Sequence, residues 1–143
     1  MARIAPATYP LTVYYDATCP LCVAEMAAMR ARDAADRLSL VDCSPLGFSG
    51  GPAPREALMT AMHTVDAAGR VLAGVAAIRA CRAAVGLPAG GALLDLPLVG
   101  ALADRAYAVL ARNRYRLPRW LVARLADRGA IAPATCADDR CRF

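Results

Sequence analysis

Tyr14-Tyr15-Asp16-Ala17-Thr18-Cys19-Pro20-Leu21-Cys22 joins an apolar, β-rich run to the start of a helix and places two cysteines at the junction. Leu11 to Tyr15 is β-branched or aromatic at four consecutive positions and follows Pro10, which predicts a buried strand. Pro20 suits the first helical position: its fixed φ is already helical, and the N–H it lacks would have had no partner there. Cys19 then stands at the N-cap edge and Cys22 one turn inside, within bridging reach. An exposed sulfur at Cys19 would meet unpaired backbone N–H groups and the positive end of the helix dipole, both of which favour thiolate. The stretch predicts a redox-active dithiol. Cys19 is its attacking sulfur, and Cys22, facing inward, resolves the mixed disulfide by exchange.

Working outward, Cys22, Met26 and Met29 recur on one face of a helix predicted over Pro20 to about Arg32. Leu38 to Asp42 reads as a second strand, parallel to the first if the crossover is right-handed. Cys43 to Pro54 holds three prolines and three glycines and is a loop before a short helix over Arg55 to Ala61. Met62 to Val65 and Arg70 to Leu72 flank Asp66-Ala67-Ala68-Gly69, the pattern of a hairpin whose last connecting residue can take positive φ. Val75, Ile78, Cys81 and Val85 mark one face of a helix ended by Gly86 and Pro88. The order β-α-β-α-β-β-α predicts an α/β, thioredoxin-like fold with the dithiol between first strand and first helix. Pro97 opens a further helix to about Arg112, with Val99, Leu102, Ala106 and Val109 on one side. Pro118 opens another to about Arg128. The expected organisation is one domain over 1–143: a core over about 1–90, a helical extension over about 91–128, and a flexible tail over about 129–143 carrying Cys136 and Cys141.

A chain of 143 residues, 58% hydrophobic, can bury a core without a disulfide scaffold. Met1-Ala2-Arg3-Ile4-Ala5-Pro6 carries no apolar core followed by a cleavage site, so the reducing cytoplasm is the expected compartment. The most apolar long stretch, Ala92 to Ala111, is broken by Asp95, Pro97, Asp104 and Arg105, and no membrane span is expected. The net charge of +5 comes from 17 arginines against 12 acids, with no lysine, which excludes Schiff-base lysine chemistry. With so few aromatics beside the arginines, no nucleic-acid partner is expected.

Asp16-Ala17-Thr18-Cys19-Pro20-Leu21-Cys22 resembles the Asp-x-x-Cys-x-x-Cys motif of the DCC family of thiol-disulfide oxidoreductase-like proteins. The resemblance extends through Met62-His63, Gly69 and Gly74 to Ala111-Arg112-Asn113-Arg114-Tyr115-Arg116-Leu117, which is similar to the family's Arg-Asn-Arg-Tyr stretch. It implies a thioredoxin-like domain acting by dithiol redox chemistry and names no partner; the expected substrate is a thiol or disulfide, a protein foremost, and no organic cofactor is expected. Ala17 stands where the family usually has glycine, so a positive φ there would strain the turn. Thioredoxins place a cis-proline before the third strand; here Met59-Thr60-Ala61-Met62 precedes it, so substrate docking must differ.

Several readings stay open at this level. The Cys19–Cys22 pair could be half of a zinc site, making the chain a binding module or a redox-inactive interaction module. Asp16 could take a proton from Cys22, raise its pKa, or only shape the turn before the helix. Cys136 and Cys141 could form an auxiliary redox pair, complete a four-cysteine zinc site, or do nothing. His63, the only histidine, is expected to be a satisfied strand residue, and Cys81 a small core residue. Arg112, Arg114, Arg116 and Arg119 are expected to complement helix C-termini or to meet an acidic partner.

Overall fold

The structure, a computed structural model, describes residues 6–127. The elements are β1 (Leu11–Tyr15), α1 (Pro20–Arg32), β2 (Leu38–Asp42), α2 (Arg55–Thr60), β3 (His63–Val65), β4 (Val71–Ala73), α3 (Val75–Ala84), α4 (Pro97–Asn113) and α5 (Arg119–Asp127). Two short 3-10 segments, Gly91–Asp95 and Arg114–Arg116, flank α4. The sheet runs β2-β1-β3-β4. β1 is parallel to β2, pairing Val13 with Leu40, and antiparallel to β3, pairing Tyr14 with His63; β3 and β4 are antiparallel. This mixed α/β arrangement is consistent with a thioredoxin-like fold. Every expected element is present, with shifts of a residue or two at the ends. The hairpin strands start one residue later, and α5 opens at Arg119, where the Pro118 carbonyl accepts from Leu121 N–H at 2.9 Å.

The strand period of two explains the core. Leu11, Val13 and Tyr15 alternate into the interior, where Met26 and Met29 of α1, Leu38 of β2, and Cys81 and Ala84 of α3 join them. Helices α1 and α3 therefore share that buried layer. Tyr14 turns the other way and meets Phe48 edge to face, ring centroids 6.4 Å apart, so the long loop covers part of the second face. Cys81 is fully buried, as a core residue should be. His63 is half-buried, its Nδ1 lying 2.8 Å from the Ala61 carbonyl oxygen.

Helix α4 turns a different side inward from the one its aliphatic spacing suggests. Leu102 and Val109 are 66% and 56% exposed, and Ala106 is exposed too. The partly buried stripe is Ala103, Tyr107 and Ala111. Small residues let the helix approach closely, and Tyr107 makes the deciding contact: its hydroxyl accepts the Met62 backbone N–H at 2.9 Å. Tyr107 also lies over Gly74, the N-cap of α3, whose φ of 60° and ψ of −131° belong to a region that favours glycine. A Cβ at Gly74 would stand 3.4 Å from the Tyr107 ring. Gly74→Ala is expected to cost about 1–3 kcal/mol in a denaturant midpoint, mostly from backbone strain.

Candidate active site

The dithiol lies where β1 ends. The backbone turns at Asp16, whose Oδ1 accepts from the Thr18 N–H at 2.9 Å and the Thr18 hydroxyl at 2.6 Å. Ala17 N–H is held by Asp42 Oδ1 at the end of β2, 3.2 Å away. Among the described residues the one non-glycine with positive φ is Asp36, so Ala17 makes this turn without the strain that a glycine-requiring position would impose. Cys19 is the N-cap of α1, extended at φ −91° and ψ 115°, and its Sγ accepts the Cys22 backbone N–H at 3.4 Å. Pro20 occupies the first turn, where its missing N–H leaves no orphan.

Cys19 and Cys22 come within 3.1 Å of each other. Their exposures reverse the expected disposition: Cys19 has no accessible surface, whereas Cys22 is half-buried and borders a cavity. The protonation asymmetry is nonetheless strong. A hydrogen bond from the Cys22 side chain lowers the Cys19 thiol to about 6 against the opposing effect of burial, assisted by backbone N–H groups and the Arg114 charge. The same bond, burial and the neighbouring Cys19 push Cys22 far up. Cys43 and Cys81, both fully buried, are pushed up to about 11 and about 12, chiefly by burial. Among the described cysteines, Cys19 alone is shifted towards thiolate at neutral pH.

The rest of the site comes from the other end of the chain. Arg114, in the 3-10 segment after α4, donates from Nη2 to Asp16 Oδ2 at 2.9 Å and to the Met59 carbonyl. The Tyr115 hydroxyl also donates to Asp16 Oδ2. Both charged side chains are buried, at 6% and 0% exposure, which makes this a buried ion pair and not a surface one. Burial works to raise the Asp16 pKa, but bonds from Thr18 and Tyr115 and the Arg114 charge outweigh it and hold the carboxyl below its ordinary value. A carboxylate so stabilised is a poor proton acceptor, which weakens the proton-shuttle reading of Asp16. Its charge does raise Cys22, while Arg114 lowers both thiols.

Of the four clustered arginines, only Arg114 turns inward; Arg112, Arg116 and Arg119 are exposed. Arg114, Tyr115 and Tyr107 were not among the expected site residues. The signal that could have found them is a buried acid beside the dithiol, which demands a cation. The Arg-Asn-Arg-Tyr stretch supplies one.

Cys136 and Cys141 lie outside the described residues. Among the described residues no group of three or more His, Cys, Asp or Glu side chains could hold a metal ion, and no helix is long and apolar enough to cross a membrane. A family model described as DCC1-like thiol-disulfide oxidoreductase matches residues 13–120. No curated protein and no solved structure matches the chain.

Proposed function

Because the chain belongs to the DCC1-like thiol-disulfide oxidoreductase family, we propose that it is a thioredoxin-like thiol-disulfide oxidoreductase of a reducing, cytoplasmic setting, working through Cys19 and Cys22. The observation that carries this reading is the asymmetry of the pair: one thiol lowered to about 6, its neighbour strongly raised, at the mouth of a helix. Thiolate is the attacking species, so Cys19 is the nucleophile although it is covered.

Cys19 thiolate attacks one sulfur of a substrate disulfide, whose S–S bond breaks and whose leaving thiolate takes a proton from solvent. Cys22 then gives up its proton and attacks the Cys19 sulfur of the mixed disulfide. The second substrate thiol is released, and two electrons have passed from the dithiol, now a Cys19–Cys22 disulfide, to the substrate. The reverse sequence oxidises a substrate dithiol. The high pKa of Cys22 keeps it a hydrogen-bond donor to the Cys19 thiolate until the mixed disulfide has formed.

Asp16 acts as the anchor that holds Arg114 at the site, while the hydrogen bond to Cys19 and burial keep Cys22 protonated. Since Cys19 has no exposed surface, exchange requires the site to open locally. Docking also departs from the thioredoxin pattern, since Met59-Thr60-Ala61-Met62 puts no proline before β3 and the Tyr107 hydroxyl occupies the Met62 N–H there.

Mixed-disulfide capture tests the reading. Cys22→Ser, reacted with a disulfide-bearing protein substrate, should accumulate one adduct, mapped by mass spectrometry to Cys19. An adduct on Cys43 or Cys81, or capture by Cys22 in Cys19→Ser as efficient as capture by Cys19 in Cys22→Ser, would overturn the assigned roles.

A further inference from the structure

Beside the dithiol is a partly open cavity of about 190 Å³. Its walls come from α1, the sheet, α2, α3 and α4, with Leu21, Met26, Leu58, Met62, Ile78 and Leu110 giving it an apolar surface. Cys22 forms part of the wall, and Cys19 is within 3.1 Å of Cys22, so whatever fills this space is adjacent to the reacting sulfurs.

The polar groups on the wall are largely committed elsewhere. Glu25 is paired with Arg82 at 2.6 Å, Asp16 is held by Arg114 and Thr18, and the Tyr107 hydroxyl accepts from Met62. A charged thiol compound entering this space would lose hydration, and the Arg114 Nε–H left uncommitted on the wall belongs to a guanidinium whose charge Asp16 already offsets. The volume is also restrictive. An apolar cavity of about 150 Å³ suffices for a benzene ring, so about 190 Å³ takes one ring or one branched aliphatic group, not a peptide-sized thiol. Leu110, 40% exposed, carries the apolar surface out to solvent. Arg114, a lining residue nine-tenths buried, has an Nε–H with no partner among the described residues. A donor of that kind suits a single peptide carbonyl.

We infer that this cavity receives the apolar side chain next to the reacting cysteine of a polypeptide substrate, and so selects cysteines flanked by leucine- or phenylalanine-sized residues. This rests on the redox function proposed above. It adds the class of substrate: a protein disulfide in an apolar sequence context, in preference to a charged low-molecular-weight thiol.

The test uses reduced full-length protein and short peptides whose cysteine carries a hydroxyethyl mixed disulfide, the residue beside it being serine, glutamate, alanine, valine, leucine or phenylalanine. Second-order exchange rates should climb from alanine to phenylalanine. Leucine and phenylalanine peptides should exceed serine and glutamate ones by about tenfold or more, the worth of burying such a side chain. Ala111→Trp, which fills the cavity from α4, should bring that ratio close to one. Should the variant not fold, the graded wild-type series still decides. Equal rates along the series overturn the inference while leaving the redox reading intact. A small disulfide with isobutyl groups exchanging as fast as the leucine peptide overturns the polypeptide assignment. No exchange even with hydroxyethyl disulfide overturns the redox reading and this inference with it.

Discussion

Cys19→Ser should lower the rate of disulfide exchange by about three orders of magnitude or more, because a serine hydroxyl at neutral pH supplies no comparable nucleophile. Cys43→Ser and Cys81→Ser should leave turnover close to wild type, since both thiols are raised by burial and neither can supply the missing thiolate. The pH dependence follows from the sign of the shift. Cys19 is lowered to about 6, so alkylation at Cys19 should rise as pH climbs through that value and level off by neutrality, where an ordinary thiol is still rising. In Cys22→Ala the side-chain donor to the Cys19 sulfur is gone while the backbone N–H at that position stays, and the inflection should move part of the way up towards the ordinary thiol range. Measured by iodoacetamide labelling with mass-spectrometric assignment, an inflection unchanged in Cys22→Ala would remove the hydrogen bond as the cause of the shift. Retention of wild-type exchange in Cys19→Ser would remove the mechanism altogether.

Arg114→Met should destabilise the protein by about 3–5 kcal/mol, the usual consequence of leaving one member of a buried ion pair without its partner. In thermal unfolding this is a fall on the order of 10 °C. The cost arises because Asp16 is fully buried and Arg114 nearly so. Removing one partner of an exposed pair would cost about 1 kcal/mol or less. Replacing both charges, in Asp16→Asn with Arg114→Met, should recover much of the loss, since no buried charge is then left uncompensated. Asp16 is held below its ordinary pKa when folded, so the stability it contributes is present above the unfolded carboxylate value and fades as pH falls below about 4. The gap between wild type and Arg114→Met should narrow over that acid range. A single variant within about 1 kcal/mol of wild type at neutral pH would show that the pair carries little of the site's rigidity.

The elements legible in the sequence are those whose cause is local. Pro20 after a short β-branched run predicts both the end of β1 and the opening of α1, and both lie where expected. Met26 and Met29 face the core because a period of about 3.6 residues puts them there. Periodicity misleads in α4. Leu102 and Val109 form a plausible apolar stripe, yet Tyr107 docks by a hydroxyl bond and Ala103 and Ala111 allow close approach, so the more hydrophobic side stays outside. Hydropathy ranks the faces of an isolated helix; it carries no information about which neighbour can meet them.

The same division runs through the site. The sequence by itself determined that two thiols would stand at a helix start after a buried strand, because proline geometry and strand propensity act over a handful of residues. Only the tertiary structure decided which sulfur is covered and which meets the cavity, because that depends on how elements far apart in the chain pack around the dithiol. It alone also decided that the cation beside Asp16 is Arg114, 98 residues away. A buried carboxylate requires a countercharge, but no local pattern says from where in the chain that charge arrives.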